Sequence, residues 1–156
     1  MRFEHEIVVP AGLDEVTTFL EDVPSVAQCI PDVSDVTLVG PDTYEGSLRM
    51  RLGPVGFTLG GTAVLDRSDP EVWRLRGEGR DRRVGAGVDA ALEARLASEG
   101  EASTRIDMVA DLQFSGRLAE LGQPLIRRKA DAMVRDFAAN LRRVFETGQG
   151  AGDLDG

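Results

Sequence analysis

Apolar and polar residues alternate with a period of two along much of the chain, a pattern typical of strands that bury one face. The first such segment covers residues 3–9 and is ended by Pro10 and Gly12. Between residues 33 and 113 the alternation recurs in segments separated by turn signals such as Gly40-Pro41-Asp42. The pattern predicts a seven-stranded antiparallel sheet with one apolar face, and the glycines inside these strands predict that the sheet is strongly curved.

Helical spacing of apolar residues replaces the alternation directly after the first strand. Val16, Phe19 and Leu20 lie on one side of a helix, and a second helical segment, residues 23–29, is ended by Pro31. These patterns predict two short helices between the first and second strands.

A longer helix is predicted over residues 124–145, where apolar residues form one continuous face. Pro124 suits the first turn of a helix, and Gly122 separates this helix from the preceding leucines. An antiparallel sheet must cover its apolar face, and this helix is the only predicted element long enough to do so. We therefore expect an α+β fold in which a curved sheet wraps around the long C-terminal helix and leaves a cavity between them.

The length of 156 residues suits one domain. We expect this domain to cover residues 1–147. Residues 148–156 are polar and glycine-rich, with too little apolar surface to order themselves, so they are predicted to form a disordered polar tail.

Composition narrows the chemistry. The chain has 27 acidic and 18 basic side chains, and its formal net charge of −9 repels nucleic-acid backbones. One cysteine, Cys29, cannot form an internal disulfide, and one histidine, His5, leaves few groups for metal ligation or proton transfer. We expect no nucleic-acid binding, no metal site and no hydrolase triad. Since the sequence has neither a basic leader nor a long apolar run, it predicts a cytoplasmic protein.

The candidate catalytic groups are His5, Cys29 and two carboxylates, Asp107 and Asp111. His5 alternates with apolar neighbours on a predicted strand, and Cys29 lacks a basic neighbour that would stabilise a thiolate. The carboxylates lie on the polar face of the last predicted strand, within reach of arginines such as Arg105. A structural interpretation is simpler for each group, so the sequence predicts no catalytic residue.

The apolar face of the sheet is itself the candidate site. It combines flexible methionines with the only tryptophan of the chain and carries no titratable group, which favours binding of an apolar ligand over a reaction. The side chains expected to line the cavity are Phe19, Ile30, Met50, Phe57, Leu59, Trp73, Leu75, Val88, Ala90, Met108, Ala110, Leu121, Leu125, Met133 and Phe137.

The C-terminal helix carries basic side chains outside its apolar face. Arg127, Arg128 and Arg135 predict a contact surface for an acidic partner or for anionic lipid at the inner face of the membrane.

Several segments resemble the CoxG family of carbon monoxide dehydrogenase subunits, which belongs to the START-like, helix-grip (SRPBCC) superfamily. The resemblance covers about residues 3–145, and the family usually has glycine where this chain has Asp32. The matching segments are Leu20-Glu21-Asp22-Val23-Pro24, Val26-Ala27-Gln28-Cys29-Ile30-Pro31, Tyr44-Glu45-Gly46, Leu52-Gly53-Pro54-Val55, Gly77-Glu78-Gly79 and Gly116-Arg117-Leu118-Ala119-Glu120-Leu121-Gly122.

The resemblance implies a helix-grip fold and a non-enzymatic accessory role in aerobic carbon monoxide oxidation. Such a protein would assist a molybdenum hydroxylase at the membrane, with an isoprenoid quinone such as menaquinone as its ligand. Two alternatives remain open. One is a polyketide cyclase/aromatase-like or generic lipid-binding START-like protein, and the other is an assembly subunit whose core is filled by side chains.

Overall fold

The computed structural model describes residues 1–154, with side chains described for residues 1–146. It confirms the predicted order of one strand, two short helices, six strands and a long helix. The elements are β1 (Arg2–Val9), α1 (Leu13–Glu21), α2 (Val23–Gln28), β2 (Val33–Gly40), β3 (Thr43–Leu52), β4 (Val55–Asp69), β5 (Val72–Asp81), β6 (Ala86–Ser98), β7 (Thr104–Gly116), a 3₁₀ helix (Ala119–Leu121) and α3 (Gln123–Leu154).

All seven strands form one antiparallel sheet in the order β1-β7-β6-β5-β4-β3-β2. Strands β2 to β7 follow one another as a meander, and β1 closes the far edge by pairing with β7. The register pairs Met50 with Phe57 and Leu75 with Leu92, so apolar residues face apolar residues across the strands. The predicted single apolar face of the sheet is thereby confirmed.

Local sequence explains where the helices begin. The Asp22 carboxylate accepts a hydrogen bond from the Ser25 hydroxyl (2.6 Å) and one from the Ser25 amide (3.4 Å), which caps α2. Gly122 has a φ of +88°, a conformation open to glycine, and Pro124 lies in the first turn of α3. The chain therefore turns sharply between the 3₁₀ helix and α3.

Asp32, where the family usually has glycine, takes a left-handed conformation with a φ of +65°. Aspartate is one of the few residues with a side chain that adopts this conformation at modest cost. The Asp32 carbonyl accepts a hydrogen bond from the Arg49 amide (3.0 Å), which ties the turn after α2 to β3. The turn is thus compatible with both residue types.

The sheet bends most tightly where β4 passes β5. A Cβ atom built on Gly61 would overlap the backbone carbonyl of Glu78, so no residue with a side chain fits there without moving the backbone. Gly61 pairs with Gly46 on one side and Gly79 on the other. This row of glycines lets the sheet curl around α3, as the sequence predicts.

The buried core is divided into two clusters. The first cluster joins β1, β7, α1 and α3, and the second joins β3, β4, β6 and the 3₁₀ helix. The first consists of Ile7, Val9, Ala11, Val16, Cys29, Ile106, Ala138, Leu141 and Phe145, and the second of Leu52, Phe57, Leu59, Ala86 and Leu118. The helix is therefore held against opposite ends of the sheet rather than along its whole length.

Asp81, at the end of β5, is a buried acidic residue with a clear structural purpose. Its carboxylate accepts hydrogen bonds from the Thr58 amide (2.8 Å) and the Arg83 amide (3.1 Å). The Thr58 hydrogen bond and the nearby Arg83 guanidinium hold the pKa of Asp81 below its usual range, against the opposing effect of burial. Asp81 thus joins β4 to the β5–β6 turn as a carboxylate.

Two sequence predictions concern the C-terminal part and its surroundings. The α3 backbone runs to Leu154, but the segment 148–156 lies outside the residues whose side chains are described, so its predicted disorder stays a prediction. Among the described residues, no helix is long and apolar enough to cross a membrane.

Candidate functional site

A cavity of about 580 Å³ lies between the inner face of the sheet and the helices, and it borders both buried clusters. Cavities that bind small molecules typically measure about 300–1,000 Å³. The lining residues are Leu20, Val23, Val26, Ala27, Ile30, Val33, Val36, Tyr44, Glu45, Gly46, Ser47, Leu48, Leu59, Gly61, Thr62, Ala63, Leu65, Trp73, Arg74, Leu75, Gly77, Glu78, Gly79, Val88, Ala90, Leu92, Ala94, Ile106, Met108, Met133, Val134 and Phe137.

Small residues in the middle of the sheet create this space. Where four neighbouring strands pass under α3, the inner face carries hydrogen atoms or methyl groups in place of large side chains. Larger side chains at both ends of the sheet keep the helix at a distance. The small residues are Gly46 on β3, Gly61 and Ala63 on β4, Gly77 and Gly79 on β5, and Ala90 on β6.

Many of the side chains that the sequence predicts to line a cavity do so. They come from the end of α2, from β4 to β7 and from the middle of α3, and the strand register brings them to one face. These residues are Ile30, Leu59, Trp73, Leu75, Val88, Ala90, Met108, Met133 and Phe137.

Other predicted residues lie elsewhere. Phe57 is only 1% exposed and belongs to the second cluster, with Met50, Leu121 and Leu125 packed against that cluster. The 3₁₀ helix and the start of α3 close down on this end of the sheet, which leaves no room for a ligand. Phe19, for its part, packs against the first cluster.

Phe19 and Ala110 are also absent from the cavity lining, for different reasons. The Phe19 ring meets the Phe145 ring edge-on, with centroids 5.6 Å apart. Ala110 pairs with Phe3 on β1 and with Leu92 on β6, nearer the β1 edge of the sheet. Both residues therefore serve packing rather than the cavity wall.

The sequence analysis missed the wall that α1, α2 and β2 supply, which includes Leu20, Val23 and Val26. Val33 and Val36 of β2 both face the cavity although three positions separate them, because the register between β2 and β3 shifts near Asp35. Such a bulge breaks the period of two, so the alternation by itself could not place both valines on one face. The Asp35 φ of +58° marks this irregularity.

The cavity wall is almost entirely apolar. Glu45, Arg74 and Glu78 alternate with the inward-facing residues, so their side chains lie on the outer face and only their backbone borders the cavity. Arg74 confirms this direction, since its Nε donates to Glu93 Oε2 (3.3 Å) on the outer face. Tyr44 is the tyrosine on the inner face, and its hydroxyl makes no hydrogen bond within the described residues.

The titratable groups considered from the sequence lie away from the cavity lining. His5 Nε2 is 3.2 Å from Asp131 Oδ1 and so connects β1 to α3. Burial raises the pKa of the Cys29 thiol, which favours the protonated and unreactive form. Asp107 accepts a hydrogen bond from Arg105 Nε (3.1 Å). Among the described residues, no group of three or more His, Cys, Asp or Glu could hold a metal ion.

The three arginines singled out on α3 differ in their surroundings. The Arg127 guanidinium lies 4.7 Å from the centroid of the Phe3 ring and donates to the Arg2 carbonyl (3.4 Å), so it fastens α3 to β1. Arg128 and Arg135 are exposed. Within the described part of the chain, only the latter two of the three are unengaged with the rest of the fold and available to a partner.

Comparisons with known proteins place this geometry among solved structures. The chain is similar to a conserved protein from Geobacillus kaustophilus (TM-score 0.83, 19% identity, 92% of this chain and 93% of that chain covered). It is also similar to the Zhui aromatase/cyclase from Streptomyces sp. R1128 (TM-score 0.65, 18% identity, 95% and 97% covered). A START superfamily protein from Mycobacterium smegmatis shares the fold (TM-score 0.65, 11% identity, 90% and 94% covered).

At these identities the structural similarity establishes a START-like fold and no more. The comparison with curated proteins finds no match. A family model described as CoxG, a carbon monoxide dehydrogenase subunit, matches residues 6–145. The match spans β1 to α3 and therefore includes every element that borders the cavity.

Proposed function

The chain belongs to the CoxG family of carbon monoxide dehydrogenase subunits, and from this premise we propose that it is a non-enzymatic carrier for a neutral apolar ligand. The observation that carries the proposal is the apolar cavity of about 580 Å³ between sheet and helix. An apolar ligand gains roughly 25 cal/mol for each Å² of apolar surface removed from water, before the costs of ordering are subtracted. The cavity thus supplies a driving force for binding without a reaction.

The ligand we propose is an isoprenoid quinone such as menaquinone. A flat ring fits against the glycine and alanine floor made by Gly61, Gly77 and Ala90, where peptide planes are uncovered. The prenyl chain would lie among the aliphatic side chains of α1, α2 and β2. Met108 and Met133 support this assignment, because flexible thioether side chains adapt to ligands of irregular shape.

The partner we propose is an aerobic carbon monoxide dehydrogenase, a molybdenum hydroxylase, which the carrier would assist at the membrane. The exposed Arg128 and Arg135 of α3 would contact an acidic surface of this enzyme or anionic lipid head groups. The wider acidic charge of the chain, −9, makes such contact local to the helix and sensitive to salt.

Cyclase chemistry is the main alternative, since the fold is shared with an aromatase/cyclase. A cyclase needs polar groups aimed at its substrate, usually an acid and a base with separated pKa values. The carboxylates bordering the cavity, Glu45 and Glu78, point to the outer face of the sheet. This arrangement favours a carrier over a cyclase.

Fluorescence of Trp73, the only tryptophan, tests the proposal. Titration with a water-soluble menaquinone analogue is expected to quench its emission to a saturating level, because quinones accept energy or electrons from excited indole. Ala90→Phe, which fills the cavity, is expected to abolish this saturable quenching. Ala91→Phe is the matched control, because Ala91 follows on β6 and faces the opposite side of the sheet.

The outcomes separate the alternatives. Linear quenching without saturation in the wild-type protein would contradict a carrier with a defined site and favour an assembly subunit. Equal effects of the Ala90 and Ala91 substitutions would show that quenching does not report on the cavity. Recovery of a chemically altered polyketide mimic after incubation would favour the cyclase alternative.

A further inference from the structure

We propose that Tyr44 is a specificity-determining residue, whose hydroxyl donates a hydrogen bond to an acceptor oxygen of the ligand. The cavity would then select neutral ligands that carry a carbonyl or ether oxygen over both hydrocarbons and carboxylates. This inference rests on the proposed carrier function and specifies which apolar ligands the carrier accepts.

The position of Tyr44 supports a direct contact with the ligand. Tyr44 pairs with Leu38 of β2 and Ala63 of β4, on the inner face of the sheet, and its side chain is half-buried. Its hydroxyl has no hydrogen-bond partner among the described residues. A phenolic hydroxyl beside an apolar wall usually finds a partner, so this one is available to a bound molecule.

A second donor lies towards the same end of the sheet. Trp73 lines the cavity at the start of β5, and its indole N–H makes no hydrogen bond within the described residues. The Arg67 guanidinium lies 6.0 Å from the centroid of the Trp73 ring and also binds Asp42 (2.7 Å) in the β2–β3 turn next to Tyr44. The donors therefore mark one end of the cavity, where the oxygen-bearing part of the ligand would lie.

The charge of the lining argues against an anionic ligand. Arg74 is the basic residue that borders the cavity within the described part of the chain, and its guanidinium is bonded to Glu93 on the outer face. A carboxylate in the cavity would lose its hydration without gaining a cation, which is costly in an apolar environment. A neutral acceptor loses far less hydration and gains the Tyr44 hydroxyl.

Matched ligands isolate the hydrogen bond. Isothermal titration calorimetry with 2-methyl-1,4-naphthoquinone and with 2-methylnaphthalene compares two rings of similar shape, only one of which carries acceptor oxygens. Tyr44→Phe is expected to weaken binding of the quinone about 5-fold, as expected for one neutral hydrogen bond. It is expected to leave binding of the hydrocarbon within about 2-fold, because the aromatic ring is retained.

A second comparison needs no variant. Wild-type protein is expected to bind methyl decanoate at least 10-fold more tightly than decanoate, since only the anion must be desolvated without a partner. Equal losses for both ring probes in Tyr44→Phe, or no loss for either, would overturn the role of Tyr44. Tighter binding of decanoate would overturn the selection against anions. If none of the probes binds the wild-type protein, the carrier function itself fails together with this inference.

Discussion

Replacing Ala90 with phenylalanine tests whether the space between sheet and helix is empty. Ala90 lies on the cavity face of β6, and its partner on β5 is Gly77, which has no side chain to obstruct a ring. Ala138 offers a matched comparison, because it is 5% exposed and belongs to the first buried cluster. The same substitution is therefore made once into the cavity and once into packed core.

The magnitudes follow from the available volume. A cavity of about 150 Å³ accepts benzene, so the cavity of about 580 Å³ accommodates the ring of Ala90→Phe. We expect this variant to change the free energy of unfolding by less than about 1 kcal/mol. Overpacking a filled core costs about 1–3 kcal/mol, and the burial of Ala138 places Ala138→Phe near the upper limit.

Thermal unfolding followed by far-ultraviolet circular dichroism measures both variants. For a chain of this length, 1 kcal/mol corresponds to roughly 2–4 °C in Tm. Ala138→Phe is thus expected to lower Tm by about 6–12 °C, and Ala90→Phe by less than about 4 °C. If Ala90→Phe lowers Tm as much as Ala138→Phe, the inner face is packed in solution and the cavity does not exist as described.

Three further predictions concern residues outside the cavity. Asp81→Asn is expected to lower Tm at pH 7, and the deficit should shrink as the pH falls below about 4, because a carboxylate with a lowered pKa stabilises the fold only while ionised; a constant deficit from pH 7 to pH 3 would contradict this. Asp32→Val should be less stable in urea than Asp32→Gly by about 1–3 kcal/mol, because a β-branched residue tolerates the φ of +65° poorly; equal stabilities would refute the argument. Replacing Arg128 and Arg135 together with Gln should reduce sedimentation with anionic vesicles at low salt and leave Tm unchanged, whereas Arg127→Gln should lower Tm through lost contact with β1; unchanged vesicle binding in the double variant would leave the helix surface without a binding role.

The sequence was sufficient to predict the strands and the face that each strand buries. Side chains alternate across a pleated strand, so the positions of Leu75 and Trp73 on one face follow from their spacing alone. The long helix was equally predictable, because one continuous apolar stripe needs a sheet to cover it. Gly61 and its neighbouring glycines indicated curvature, although only the structure identifies the Glu78 carbonyl as the group that excludes a side chain.

The division between packed core and cavity could not be predicted from sequence. Phe57 and Leu75 are both apolar and both face inward, yet Phe57 is buried in the second cluster while Leu75 borders the cavity. Hydrophobic patterning records only that a side chain avoids water, and a cavity wall satisfies that condition as well as a core does. The distance between helix and sheet at each point decides between them, and this distance depends on residues far apart in the chain.

The walls supplied by β2 and by the two short helices were decided by tertiary structure for the same reason. The register shift near Asp35 turns Val33 and Val36 to one side, and the packing of α2 on β2 brings Val23 and Val26 opposite the sheet. Periodicity describes an element by itself, whereas a cavity belongs to the arrangement of several elements. Sequence therefore determined which faces are apolar, and the curvature of the sheet, held open by two separate clusters, determined where those faces fail to meet.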